Sequence, residues 1–131
     1  MLRLIRKSSS TPTVALIWTL MTIGLLCIPG SELPKGGFID EIKNFDKLIH
    51  VLLFGGIVLL WGSWSHLRMP DDRSWFKNIC SITLGVILLG IIMEYVQLYF
   101  IPHRDFDKAD ISADMAGAIA SFGYLIIVRK K

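Results

Sequence analysis

The sequence predicts an all-α protein, a four-helix transmembrane bundle in a single domain of residues 1–131, with both termini in the cytoplasm. Hydrophobic residues make up 53% of the chain. They are gathered into four runs instead of being scattered at the period of a soluble helix or strand. Each run approaches the roughly 20 residues that a helix needs to cross a bilayer core. A soluble helical bundle is the less favoured alternative.

The first run covers about residues 13–28 and follows a basic, serine-rich segment. A basic start and a break at Pro29 and Gly30 are also typical of a secretory signal. No A-x-A-like cleavage site follows, so we expect the segment to be retained as the first transmembrane helix. Beyond it, four apolar residues recur at helical spacing and fit either a short interfacial helix or an ordinary amphipathic loop: Phe38, Ile39, Ile42 and Phe45.

The second run, residues 47–65, opens on the motif D-K-L-I-H at 46–50. Asp46 and His50 within this motif are four residues apart, so a helix places them on one face. A charged loop over residues 66–77 is expected next. Three tryptophans surround it in the manner of an interfacial belt: Trp61, Trp64 and Trp75.

The third run, residues 78–101, is the longest and carries two polar residues near its end. Glu94 and Gln97 are three apart and share a helical face, and Pro102 stops the helix. Glu94 lies inside a predicted span, where any leucine would be less costly. We therefore expect Glu94 to have a role in a site.

The fourth run, residues 110–128, is rich in small residues. Ala113, Gly117 and Ser121 recur every four residues, a pattern that lets helix backbones approach closely. This face would permit a homo-oligomer. Asp110 and Asp114 open the run on one helical face.

The distribution of basic residues sets the predicted orientation. With alternating crossings, nine basic residues fall on one side: Arg3, Arg6, Lys7, Arg68, Arg73, Lys77, Arg129, Lys130 and Lys131. Five fall on the other side: Lys35, Lys43, Lys47, Arg104 and Lys108. Because the cytoplasmic side carries the excess of Lys and Arg, both termini are predicted to be cytoplasmic.

The same charges argue against nucleic acid as a partner, although the net charge is +3. The basic residues flank apolar runs and act there as topology signals. Cys27 and Cys80 fall near opposite membrane faces, too far apart for a disulfide. Both are interpreted as packing residues.

This topology predicts a polar pocket at the extracytoplasmic side. Charged residues at membrane depth normally face the bundle or a wet cavity and pair with one another. The pocket is predicted to contain eight residues: Asp46, Lys47, His50, Glu94, Gln97, Arg104, Asp110 and Asp114. Arg104 would either pair with Glu94 or Asp110 or contact a lipid headgroup, and the neighbouring Asp105 and Asp107 are expected to be solvated.

Four motifs in this order resemble those of the VanZ-like family of small bacterial membrane proteins: D-K-x-x-H at 46–50, E-x-x-Q at 94–97, P-x-R at 102–104 and D-x-x-x-D at 110–114, followed by Gly117. The resemblance covers roughly residues 46–121. Relatives often carry Asn where this chain has Asp114, which adds a negative charge here. The resemblance implies a multi-pass protein of the bacterial plasma (inner) membrane. The founding member is associated with low-level resistance to teicoplanin, and the family has no settled catalytic activity to carry over.

Three functions remain open. The first is an envelope protein that binds an anionic, lipid-linked headgroup through Lys47, His50 and Arg104, with carboxylates orienting these cations. The second is a membrane-embedded enzyme that uses the carboxylates and His50, with a divalent metal as a possible cofactor. No strong metal motif and no nucleophile with an evident base supports it, so the sequence does not identify an enzyme. The third is a small proton-coupled carrier.

Overall fold

The computed structural model describes residues 12–32, 36 and 44–130. Within these ranges the chain forms four α-helices, a short 3-10 helix at Gly30–Glu32, and no strand. We number the helices in chain order, which gives α1 at Thr13–Leu26, α2 at Phe45–Arg68, α3 at Asp72–Phe100 and α4 at Lys108–Arg129. The all-α prediction with four helices is confirmed. The basic N-terminal segment and the predicted interfacial stretch at Phe38, Ile39 and Ile42 lie outside the described residues.

Three of the helices are long and apolar enough to cross a membrane. These are α2 with 24 residues, α3 with 29 and α4 with 22, which indicates a membrane protein. Helix α1 has only 14 residues, so at a rise of 1.5 Å per residue it extends about 21 Å. That is shorter than a bilayer core of about 30 Å. A fourth crossing through α1 therefore stays a prediction.

Helix α3 begins six residues earlier than the predicted span, at Asp72 instead of residue 78. Asp71 is the N-cap, and its carboxylate accepts a hydrogen bond from the Ser74 backbone N–H at 2.7 Å. This hydrogen bond lowers the pKa of Asp71. Because the cap satisfies one of the free amides of the first turn, the helix starts within the polar stretch. Most of the predicted loop over residues 66–77 is therefore helical.

The closest helix contact joins α2 to α4 and uses the small residues of the fourth run. Gly117 lies directly against the backbone of Val51 and Gly55, and a side chain at this glycine would overlap the Val51 carbonyl. The Ser121 hydroxyl donates to the Gly55 carbonyl at 2.8 Å. The predicted small-residue face, which includes Ala113, thus packs within the chain. A homo-oligomer through Ala113, Gly117 and Ser121 stays a prediction, and it would require this same face.

Helix α1 is attached to α2 through indole hydrogen bonds. The Trp18 Nε1–H donates to the Leu53 carbonyl at 3.0 Å, with its ring against Gly56. The Trp61 Nε1–H donates to the Thr19 hydroxyl at 3.1 Å. Of the three tryptophans assigned to an interfacial belt, Trp61 therefore holds α1 and is not free to anchor at the interface.

At the end of the bundle remote from the predicted pocket, Arg129 joins α4 to the α2–α3 connection. Its guanidinium donates to the carbonyls of Met69 and Pro70, both at 2.9 Å, and pairs with Asp72 at 2.8 Å. The same group lies 5.1 Å from the centroid of the Trp75 ring. Because Trp75 is buried, it does not belong to an interfacial belt. Helices α2 and α4 therefore run parallel to each other, with α3 antiparallel to both.

The α2–α4 contact yields a matched pair of variants on one helix. Gly117→Ala should lower the free energy of unfolding by about 1–3 kcal/mol, because its methyl group meets fixed backbone. Gly123→Ala meets no atom within 4 Å and should be neutral or stabilising by about 0.5–1 kcal/mol. Unfolding in detergent micelles, followed by circular dichroism, measures both. Equal stability of the two variants would contradict the close approach.

Candidate functional site

Four helix ends meet at one end of the bundle. The N-termini of α2 and α4 lie beside the C-termini of α1 and α3. The backbone N–H of Gly30 donates to the Pro102 carbonyl at 3.1 Å, which fixes the α1 end against the α3–α4 turn. Polar side chains from all these segments therefore reach one region.

His50 of α2 lies at the centre of this region and is 5% exposed. Its Nδ1 lies 2.8 Å from an oxygen of Asp114 on α4. Its Nε2 lies 3.7 Å from an oxygen of Asp110, one turn earlier on the same helix. The ring is stacked parallel to that of Phe54, with the centroids 6.3 Å apart. His50 thus bridges the two aspartates that open α4.

Lys47 occupies the mouth of the cluster, one turn before His50. Its ammonium forms ion pairs with three carboxylates: Asp46, Asp107 and Asp110. Asp46 is largely exposed, so it forms the rim, whereas Asp110 is buried. Lys47 therefore neutralises part of the acidic charge where the cluster meets its surroundings.

Glu94 approaches from α3 and is 1% exposed. One of its carboxylate oxygens accepts a hydrogen bond from the Asp107 backbone N–H at 2.9 Å. This bond connects the end of α3 to the start of α4. A buried carboxylate within a predicted span is costly unless it is paired or used. The burial of Glu94 in the structure therefore agrees with the expectation that it has a role in a site.

Gln97 and Arg104 do not join the carboxylates. The Gln97 amide donates to the Leu26 carbonyl at 2.9 Å, and the Arg104 Nε–H donates to the Ile28 carbonyl at 3.3 Å. Carbonyls at a helix C-terminus lack partners within the helix. These two side chains therefore supply the partners at the end of α1. Of the two alternatives for Arg104, the ion pair with Glu94 or Asp110 is replaced by this contact, and the contact with a lipid headgroup stays a prediction.

Asp107 belongs to the network, although the sequence predicted it to be solvated. One of its oxygens accepts from the Ala109 backbone N–H at 2.8 Å and caps α4, while the other pairs with Lys47. The hydrogen bond from Lys47 lowers the pKa of Asp107. The signal that could have revealed it is its position directly before an apolar helix, where aspartate is a preferred N-cap.

Asp114 is 1% exposed and only one of its oxygens is paired. That oxygen faces His50, whereas the other has no hydrogen-bond partner and lies against Gly90 of α3. A β-carbon at Gly90 would come within 2.7 Å of this second oxygen. The glycine therefore provides the space in which the carboxylate of Asp114 fits, a role that the sequence pattern alone does not indicate.

The cluster carries more negative than positive groups. Five carboxylates surround Lys47 and His50: Asp46, Glu94, Asp107, Asp110 and Asp114. Ligand atoms of His50, Glu94 and Asp110 lie within 4.8 Å of one another, as do those of Asp46, Asp107 and Asp110. Because a surplus of carboxylates favours positive charge, the arrangement suits a proton or a metal cation better than an anion.

The network makes the stability contributed by Asp107 depend on pH. Since its folded-state pKa is lowered, its contribution is complete above the ordinary value of 3.8 and is lost as the pH falls through the folded value. Asp107→Asn keeps a good cap but cannot titrate. Below about pH 4, its melting temperature should fall less steeply than that of the wild type. Parallel profiles for Asp107→Asn and wild type would refute the pairing.

Comparison with known proteins leaves the family open. No family model, no curated protein and no solved structure matches this chain. The likeness to VanZ-like proteins therefore depends on the four sequence motifs alone and stays a prediction.

Proposed function

We propose that the protein is a multi-pass, VanZ-like protein of the bacterial plasma membrane that engages the charged headgroup of a lipid-linked cell-wall precursor. The convergence of ionisable side chains from α2, α3 and α4 at one end of the bundle supports this proposal most directly. Such a cluster lies where the headgroup of a membrane-bound lipid would be found. The protein would contribute in this way to handling of envelope precursors and to glycopeptide resistance of the teicoplanin type.

The cost of the cluster argues that it serves a function. Glu94, Asp110 and Asp114 are all at least nine-tenths buried. A charged side chain costs about 2.5–3.5 kcal/mol at the centre of a span in insertion experiments and less toward the span ends, where these three residues lie. Hydrophobic residues of similar volume would pack at lower cost in most buried ion-pair sites. Several such groups in contact are therefore better explained by ligand handling than by stability.

The charges at the other end support an extracytoplasmic site. Arg68 ends α2, Arg73 lies in the first turn of α3, and Arg129 ends α4 at the far end of the bundle. Basic residues are concentrated on the cytoplasmic side of membrane proteins. With that end in the cytoplasm, the carboxylate–histidine cluster faces outward, where wall precursors are used.

The charge balance refines how a headgroup would be engaged. Direct contact of Lys47, His50 and Arg104 with an anionic headgroup was predicted from the sequence. In the structure, however, Arg104 bonds to the Ile28 carbonyl, and Lys47 is already paired with three carboxylates. A phosphate brought to this cluster would be repelled by the carboxylates unless a further cation lay between them. We therefore favour engagement through a bound cation, assisted by Lys47.

A membrane-embedded enzyme is the second candidate, and the position of His50 favours it. An imidazole held by one carboxylate, with its second nitrogen facing another, can accept a proton from a reacting water. Release of inorganic phosphate from a lipid-linked phosphate by the purified protein would support this candidate. Binding without turnover would leave headgroup recognition as the function.

Cysteine labelling tests the orientation. In a background with Cys27 and Cys80 replaced by serine, we expect an impermeant maleimide to label Asp105→Cys in intact cells. Ser74→Cys should be labelled only after the membrane is permeabilised, since positive charge keeps that end inside. The opposite pattern would place the cluster in the cytoplasm and remove the proposed function.

Lipid binding and drug sensitivity test the function. The protein in nanodiscs should retain a polyprenyl phosphate in native mass spectrometry but not the matching uncharged polyprenol. Expression in a teicoplanin-sensitive bacterium should raise the inhibitory concentration of the drug. Glu94→Gln should abolish both effects because it removes a buried charge of the cluster.

Asp105→Asn is the matched control, since it removes an exposed carboxylate of the α3–α4 loop. It should preserve both lipid retention and the drug phenotype, with membrane levels of all variants checked by immunoblot. Equal behaviour of Glu94→Gln and wild type at equal protein levels would contradict the role of the cluster.

A further inference from the structure

Three side chains from three helices surround a common point within the cluster. Nitrogen of His50 and oxygens of Glu94 and Asp110 lie within 4.8 Å of one another, and all three residues are buried. Metal bonds to imidazole and carboxylate are about 2.0–2.2 Å long, so two ligands of a tetrahedral ion lie roughly 3.4 Å apart. Small side-chain adjustments would therefore bring all three atoms to bonding distance.

The orientation of His50 is that of a metal ligand. A ligating imidazole usually donates its other N–H to a carboxylate, which fixes the tautomer and the ring orientation. Nδ1 of His50 has this partner in Asp114, at 2.8 Å. If Nδ1 carries the proton of a neutral ring, Nε2 has a lone pair that faces Asp110 at 3.7 Å, beyond hydrogen-bond distance. A lone pair and a carboxylate oxygen repel one another unless a cation lies between them.

Asp114, on the Nδ1 side of the imidazole, carries a carboxylate oxygen without a partner. The second oxygen of Asp114 is buried and has no hydrogen-bond partner. Asp114 projects into the cluster between His50 and Gly90, one turn before Glu94 on α3. An ionised buried carboxylate with an unpaired oxygen is costly. A cation on Nε2, at the other side of the ring, would reduce that cost through the imidazole, by strengthening the hydrogen bond from Nδ1–H to Asp114.

The second group of candidate ligands is already served by the protein itself. Asp46, Asp107 and Asp110 are all paired with the Lys47 ammonium. Asp110 is shared between the two groups, so Lys47 draws its carboxylate toward the rim. The lysine should therefore weaken the binding of an ion at the inner group without occupying that group.

We infer that His50, Glu94 and Asp110 bind one divalent metal ion, with Asp114 as the residue that positions the imidazole. A mixed nitrogen and oxygen set of this kind suits Zn²⁺ or Mn²⁺. The inference deepens the proposed function, and rests on it for the ion's role, because the ion would place positive charge where a phosphate headgroup could complete the coordination. The existence of the site can be tested without lipid substrate.

The test uses the full chain in nanodiscs made of uncharged lipid, titrated with Mn²⁺ and, separately, with Zn²⁺. We expect one ion per chain. The pulsed electron paramagnetic resonance spectrum of bound Mn²⁺ should contain a ¹⁴N coupling from an imidazole, and His50→Gln should remove it. Glu94→Gln and Asp110→Asn should each weaken binding by more than the roughly 10- to 100-fold expected for loss of a positioning partner, the effect predicted for Asp114→Asn.

Lys47→Gln gives an effect of opposite sign. Releasing Asp110 from the lysine should strengthen binding, and a misfolded variant cannot produce that result. Asp105→Asn, which alters charge in the same loop outside the cluster, should bind as the wild type does. Thermal unfolding of each variant without metal identifies any that fails to fold.

Three results would overturn the inference. Failure of the folded wild type to bind either ion would leave His50, Glu94 and Asp110 as a polar cluster without a metal. Binding without a ¹⁴N coupling, or with the coupling retained in His50→Gln, would place the ion elsewhere. Binding unaffected by both Glu94→Gln and Asp110→Asn would do the same. Metal binding without lipid retention or drug phenotype would instead overturn the proposed function alone. Lipid retention without metal binding would overturn this inference and the engagement through a bound cation, and would leave headgroup binding itself in place.

Discussion

The backbone contact between α2 and α4 is the constraint on which the rest of the structure depends. Gly117 allows α4 to lie against Val51 and Gly55. Because the two helices run parallel, this contact also fixes which residues of α2 and α4 face each other in the neighbouring turns. His50 reaches Asp114 at 2.8 Å because the helices are this close one turn away. A larger residue at Gly117 would separate the imidazole from both aspartates. The packing of small residues in this bundle thus also determines where the polar side chains lie.

The sequence was sufficient for much of this architecture because its signals are local. Run length predicted the helices, and a spacing of three or four residues predicted which side chains share a helical face. The predicted start of α3 is wrong, because the apolar pattern begins later than the helix. The side chain of Asp71 caps the helix before that pattern starts. The predicted first span, residues 13–28, is also longer than the 14 residues of α1.

Side-chain partners were harder to predict, because they depend on which helices are neighbours. Gln97 and Arg104 carry the same chemistry as the rest of the predicted pocket, yet both bond to carbonyls at the end of α1. Asp107 carries signals of an ordinary loop residue but contacts both Lys47 and Glu94, the latter through its backbone N–H. No spacing rule within one helix contains this information, since it arises only when the α3–α4 turn folds back over the α2 terminus.

The shortness of α1 has a consequence for the lipids around it. If α1 crosses the membrane, its length of about 21 Å falls short of a hydrocarbon core of about 30 Å, and thinning of the bilayer beside it is one way to relieve the mismatch. The C-terminus of α1 lies at the same end as the carboxylate–histidine cluster. Local thinning there would draw lipid headgroups and water inward toward Lys47. A ligand would then reach the cluster over a shorter path than the position of the cluster along α2 or α3 suggests.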